Sequence, residues 1–137
     1  MDITIGHSLS HDFEITPEQV RSFAEASGDF NPLHFDEEFC AGTRFKKPIV
    51  HGLLGASVFS KVYGNIFPGN GTVYVSQTLN FKKPIYPATK YTAHFEVIAL
   101  DSAKSRLTVR CEVLDKDGVV CLSGESVLFN EEIFNQP

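Results

Sequence analysis

The sequence has no tryptophan, one methionine and only three cysteines, Cys40, Cys111 and Cys121. An odd set at unrelated spacings, with no C-x-x-C, makes neither a disulfide framework nor a zinc site. Reduced thiols in a cytoplasmic protein are the simplest expectation, with a Cys111–Cys121 bridge as the alternative. No apolar run approaches the roughly 20 residues that a membrane-spanning helix needs. The first nine residues lack a basic stretch followed by an apolar one, so no signal peptide is expected. Positive charge is also short. Lys plus Arg number 12 against 17 Asp plus Glu, a formal net charge of -5, which argues against nucleic-acid or anionic-membrane partners. Repeats, linkers and low-complexity tracts are missing. What remains is 137 residues with 42% hydrophobic content, the size and composition of a single domain over 1–137 with one sizeable core.

The two halves differ in period. His11 to Ile15 alternates polar and apolar, which predicts a short strand. Thr16-Pro17-Glu18-Gln19 then opens a helix: a capping box with proline at the first helical position. Val20, Phe23 and Ala24 form its apolar stripe, and Gly28 stops it. A short helical turn over 36–43 follows, again headed by an aspartate. From His51 to about Phe67 charge is nearly absent and small residues recur, which predicts a helix of about 16 residues, roughly 24 Å long, buried on most sides. Pro68-Gly69-Asn70-Gly71 ends it. Thereafter the period is two: Val73 to Phe81, Tyr91 to Leu100, Leu107 to Leu114 and Val119 to Phe129 read as strands, the last two joined by a turn at Asp115-Lys116-Asp117-Gly118. The expectation is an α+β fold, an antiparallel sheet of about five strands wrapped around a long central helix. Such a sheet leaves an edge and one face uncovered, which a second copy of the chain would close.

Two stretches can carry chemistry. Ser27-Gly28-Asp29-Phe30-Asn31-Pro32-Leu33-His34 follows a helix stop and places Asp29, Asn31 and His34 within six positions. Pro32 restricts both itself and Asn31. An Asp and a His in different environments can divide the work of general acid–base catalysis. Two other readings stand beside this one: Asx turn formers with a surface histidine, and a metal site from Asp29, His34 and Asp36. The second stretch is Pro48-Ile49-Val50-His51-Gly52, at the start of the apolar helix. Unpaired first-turn amides and the positive end of the helix dipole lie there. Gly52, lacking a side chain, would let a carbonyl oxygen approach its N–H as in an oxyanion hole. The alternatives are that Gly52 is small because a neighbour packs on it and that His51 caps the helix.

S-G-D-F-N-P-L-H at 27–34 together with P-I-V-H-G at 48–52 resembles the MaoC-like, (R)-specific enoyl-CoA hydratase family, with matching features from about Thr16 to Phe81. The resemblance implies a hot-dog fold, usually dimeric, and reversible addition of water to a trans-2-enoyl-CoA to give an (R)-3-hydroxyacyl-CoA. By position it implies Asp29 and His34 as the catalytic pair, the Gly52 amide as oxyanion donor, Asn31 as the polar residue beside the pair and Ser60 as a supporting helix serine. Cys40 departs from the family's Ala or Ser, and Ala88-Thr89 stands where a Gly-Asp is common. No metal, nicotinamide or flavin is implied; the substrate is a CoA or acyl-carrier-protein thioester. His51 and Leu53 are expected to contact it. Leu53, Leu54, Val58, Phe30 and Phe35 are candidates for an acyl tunnel, and Lys82 with Lys83, or Arg44, Lys46 and Lys47, for phosphate contacts. The competing functions are a thioesterase on the same fold and a non-catalytic acyl-thioester-binding subunit.

Overall fold

The structure, a computed structural model, describes residues 3–134. Strand β1 (Ser8–Glu14) leads into helix α1 (Pro17–Ser27). The capping box forms as the sequence predicts: Gln19 N–H donates to the Thr16 hydroxyl and the Gln19 side chain accepts from Thr16 N–H. A 3-10 turn (Pro32–His34), the short helix α2 (Glu37–Ala41) and the long helix α3 (Gly52–Asn65) follow. Then come strands β2 (Val73–Gln77), β3 (Asn80–Phe81), β4 (Lys90–Asp101), β5 (Arg106–Leu114) and β6 (Val120–Phe129), and a last turn of helix, α4 (Glu131–Phe134).

The sheet has six strands rather than about five, all antiparallel pairs, in the order β1-β4-β5-β6-β2, with β3 also pairing with β6. The extra strand comes from a break in what reads as one strand over 73–81. Thr78 crosses β6 at Gly124, where any Cβ would fall on the Thr78 carbonyl. Thr78 N–H donates to the Glu125 carbonyl (3.0 Å) and its hydroxyl accepts from Glu125 N–H (3.0 Å). The glycine therefore permits one backbone to rest on another, and the edge strand divides there into β2 and β3.

Helix α3 buries Gly55, Val58, Phe59, Val62 and Tyr63, a stripe at helical spacing. Phe59 and Tyr63 meet Phe95 of β4 edge-on, at centroid distances of 5.7 and 5.4 Å. Each fully buried apolar side chain of this kind contributes about 1.5–3 kcal/mol relative to exposure. The helix is shorter than expected and not buried on most sides: Leu53, Ser57, Ser60, Lys61 and Gly64 are exposed within one chain. Its absence of charge therefore describes two unlike faces, only one of which the sheet covers. The three cysteines are buried and unpaired, so the Cys111–Cys121 bridge does not form. The Asp115–Gly118 turn does form, with the Asp115 carboxylate accepting from Asp117 and Val119 N–H.

Candidate active site

A relay of side chain to backbone hydrogen bonds shapes the loop after α1. Gly28 adopts φ +83 as the C-cap. Ser27 Oγ donates to the Phe23 carbonyl and accepts from Asp29 N–H; Asp29 Oδ1 accepts from Asn31 N–H; Asn31 Oδ1 accepts from Leu33 N–H. These local bonds set the loop's course before any ligand arrives. Asn31 thus caps the 3-10 turn with its Oδ1 while its backbone bonds both to Asp29 Oδ1 and to His34 N–H, which places it beside the Asp29–His34 pair. Asp36 is similarly committed, accepting from Phe39 N–H to cap α2, so it does not join Asp29 and His34 as a metal ligand.

The other carboxylate oxygen, Asp29 Oδ2, faces His34 Nε2 at 4.0 Å, with the carboxylate half exposed and the imidazole nearly covered. His34 Nδ1 lies 2.7 Å from the Ile49 carbonyl. A carbonyl only accepts, so Nδ1 carries the hydrogen and Nε2 of the neutral ring is a bare acceptor. The His34 ring stacks on that of His51 at 3.7 Å between centroids and 26° between planes. His51 is only 3% exposed. It is the N-cap residue of α3 but makes no side-chain cap bond. Its Nε2–H reaches sideways to the Asp29 carbonyl (3.0 Å), while Nδ1 is buried without a partner. It is a buried wall of the site that also lines two of its cavities.

Two backbone bonds clamp the approach to α3. Ile49 N–H donates to the Leu33 carbonyl and Val50 N–H to the Ile85 carbonyl. Gly52 then opens α3 with no side chain capping its first turn, leaving its amide at the positive end of the helix dipole. Part of the packing explanation for Gly52 also holds, because a Cβ there would lie 2.7 Å from Cε1 of Phe81.

A cavity of about 430 Å³ is lined by Phe23, Asp29, His51, Gly52, Leu53 and Phe81. An adjoining one of about 230 Å³ shares His51, Gly52 and Phe81 and adds Arg44, Lys82 and Lys83. His34 lines a third, of about 340 Å³, with Phe35, Lys47 and Tyr86, so the Asp29–His34 pair stands between two cavities. Ser60 lines none of these. It lies on the exposed face of α3, about 12 Å along the axis from Gly52, and does not support the site within one chain. Val58 is core, Phe30 is 54% exposed and stacks on Phe35, and Lys46 borders none of the three cavities. Sequence reasoning missed Phe81, which read only as a strand residue, and Phe23, which read as core yet sits 4.8 Å from the His51 ring.

Asp29, His34 and His51 offer ligand atoms that all lie within 4.8 Å of one another. Donors sharing a transition ion at bonds of about 2.0–2.1 Å sit closer together than this spread. The arrangement is better matched to proton transfer, with two facing acceptors, Asp29 Oδ2 and His34 Nε2, and an adjacent backbone donor.

Sheet order, long helix and loop together define the hot-dog fold, and the model of the MaoC like domain matches residues 3–117. The chain belongs to that family. It is 43% identical over 110 residues to the (R)-specific enoyl-CoA hydratase of Aeromonas caviae, covering 80% of this chain and 82% of that one. It is 39% identical over 129 residues to the 3-hydroxybutyryl-CoA dehydratase of Methylorubrum extorquens, covering 93% and 80%. The solved structure of an A. caviae (R)-hydratase superposes with a TM-score of 0.89 at 38% identity, covering 93% of this chain and 97% of that chain.

Proposed function

We propose that the protein is a hydro-lyase that adds water reversibly to trans-2-enoyl thioesters, giving (R)-3-hydroxyacyl thioesters. The observation that carries this reading is the pair of facing acceptors, Asp29 Oδ2 and His34 Nε2, 4.0 Å apart, one of them bordering the cavity that holds the Gly52 amide. A water about 2.8 Å from each would see the two at roughly a right angle. It would donate one hydrogen to each and keep a lone pair free. With the thioester oxygen on Gly52 N–H, negative charge accumulating there is stabilised by the amide and the helix dipole, an effect of about 3 kcal/mol for one such donor. The water oxygen bonds to Cβ and one O–H bond breaks toward the pair. The π electrons move to the enolate, and a proton from the pair closes the Cα–H bond on the same face. Holding water and double bond together supplies the rest. The reaction so written needs no redox cofactor or metal.

Arg44, Lys82 and Lys83 beside Gly52 suit the phosphates of CoA or of a carrier-protein arm, and Leu53 with Phe23 and Phe81 suits the acyl chain. The protein is read as a homodimer. Of the two sheet edges, β1 carries the Asp12–Lys90 ion pair, whereas β2 presents Val73, Tyr74 and Val75, 57%, 39% and 42% exposed. An apolar, unblunted edge is the one that pairs with a second chain, and the open face of α3 would be covered with it. No helix among the described residues is long and apolar enough to cross a membrane, and three unpaired thiols fit the reducing cytoplasm. The test is loss of enoyl absorbance with crotonyl-CoA and longer enoyl-CoAs, followed by chiral analysis of the product. Release of free CoA thiol would identify a thioesterase instead, and tight binding without turnover a non-catalytic subunit.

A further inference from the structure

We infer that His51 is a positioning residue that ties both halves of the catalytic pair to the start of α3. The inference rests on the hydratase reading and adds to it. His51 makes three contacts, each with a different part of the site. Its Nε2–H donates to the Asp29 carbonyl (3.0 Å) and so holds the residue that carries the carboxylate. Its ring lies flat on His34 at 3.7 Å and so sets the plane in which His34 Nε2 points. Its own backbone is the N-cap of α3, one residue before the Gly52 amide. Phe23 packs against the same ring, and the residue is 3% exposed, so the ring has little freedom to rotate.

The ring's orientation follows from the bonds. Nε2 must hold the hydrogen, since its partner is the Asp29 carbonyl. Turning the ring over would break that bond, so the face that His51 presents to His34 is fixed by the same contact that holds Asp29. The other ionisable groups near His34 are Asp29 at 4.0 Å, Glu37, Lys47 and Tyr86 around its cavity, and Arg21 across the Phe35 ring. His51 is the one stacked on it.

The two functions of the side chain separate by substitution in the full-length protein. His51→Phe keeps the stack and loses the donor to Asp29; His51→Gln keeps a donor of similar reach and loses the ring. Since His51 makes no cap bond, neither change removes a helix cap. Folding is checked by circular dichroism and thermal unfolding. Turnover of crotonyl-CoA is followed at fixed pH, and the His34 imidazole protons are followed by NMR, where the ring current of the stacked neighbour displaces them. The expectation is a kcat lower by about tenfold to a hundredfold in each variant, as for a misplacement of about 1 Å, with KM within about twofold. The His34 imidazole resonances should keep the ring-current displacement of the stack in His51→Phe and lose it in His51→Gln. A folded His51→Phe and a folded His51→Gln that both keep wild-type kcat, or His34 resonances unmoved in His51→Gln, would overturn the inference. Failure of the wild type to hydrate any enoyl-CoA would instead remove the hydratase reading, while the His34 resonances in the two variants still decide the positioning role.

Discussion

Replacing Gly52 by alanine separates the oxyanion role proposed for this position from its packing role. The new Cβ would sit 2.7 Å from Cε1 and 3.0 Å from Cδ1 of Phe81, so the ring must move by several tenths of an ångström or more. That ring is the end of a flexible side chain and Phe81 is 56% exposed, so it can swing toward solvent at little cost. Alanine at the first helical position also narrows the freedom of the unfolded chain, a gain of about 0.4–1 kcal/mol. Stability should therefore change by less than about 1 kcal/mol in a urea titration. Activity should change far more. The methyl group crowds the amide that must receive the thioester oxygen, and loss of one such donor lowers kcat by about a hundredfold to a thousandfold. Phe81→Ala alone and the Gly52→Ala/Phe81→Ala double variant complete the series. If crowding of the amide is the cause, the double variant stays as slow as Gly52→Ala. A Gly52→Ala enzyme with kcat within about threefold of wild type would refute the oxyanion assignment, and full rescue by Phe81→Ala would transfer the effect to the ring.

Asp29→Asn keeps an oxygen to accept from Asn31 N–H, so the loop and the unfolding midpoint should persist while kcat falls about a hundredfold or more; more than a tenth of wild-type turnover would contradict the acid–base role. Gly124→Ala puts a methyl group onto the Thr78 carbonyl and 2.9 Å from the Gln77 side-chain nitrogen, where backbone must yield, and should cost about 3 kcal/mol in urea unfolding. A small effect would mean that the crossing of β2–β3 over β6 is looser than described. Burial pushes the Cys111 thiol above its ordinary 9.0, and burial with the neighbouring Cys111 pushes the Tyr63 hydroxyl above 10.0. The unfolded chain then loses these protons first, so stability holds below about pH 9 and declines above it as pH rises toward the folded-state values. Urea midpoints that stay flat from about pH 8 to 10.5 would contradict this.

Features with local causes were legible in the sequence. The Thr16–Gln19 box, the Gly28 stop and the Asp115–Gly118 turn each depend on residues within a few positions, and all three form. Asp29 and His34 read from the residues alone equally as turn formers with a surface histidine, and the family resemblance singled them out; the structure brings the two side chains within 4.0 Å of each other. Features that depend on distant neighbours were not legible. Nothing between Val73 and Phe81 signals a break, since its cause is a glycine on β6. The uncharged run of α3 conceals an open face because a periodicity read from one chain does not say what covers it. Asn31 and Asp36 are typical cap and turn residues, and the structure uses them so. His51 stood in plain view at a helix start, where a cap was the natural reading, but its bond goes to the carbonyl of a residue in another loop.

Phe81 and Gly52 form a waist shared by two rooms, one holding Phe23, Leu53 and Asp29 and the other adding Arg44, Lys82 and Lys83 to an otherwise apolar lining. In the proposed reaction the reacting bond would sit in the waist, with the tail and the carrier of the substrate on opposite sides of it. Either room can therefore be reshaped, by enlarging an apolar wall or moving a lysine, without touching the aspartate, the imidazoles or the amide. A scaffold divided in this way can acquire a new chain length or a new carrier while its chemistry stays as it is.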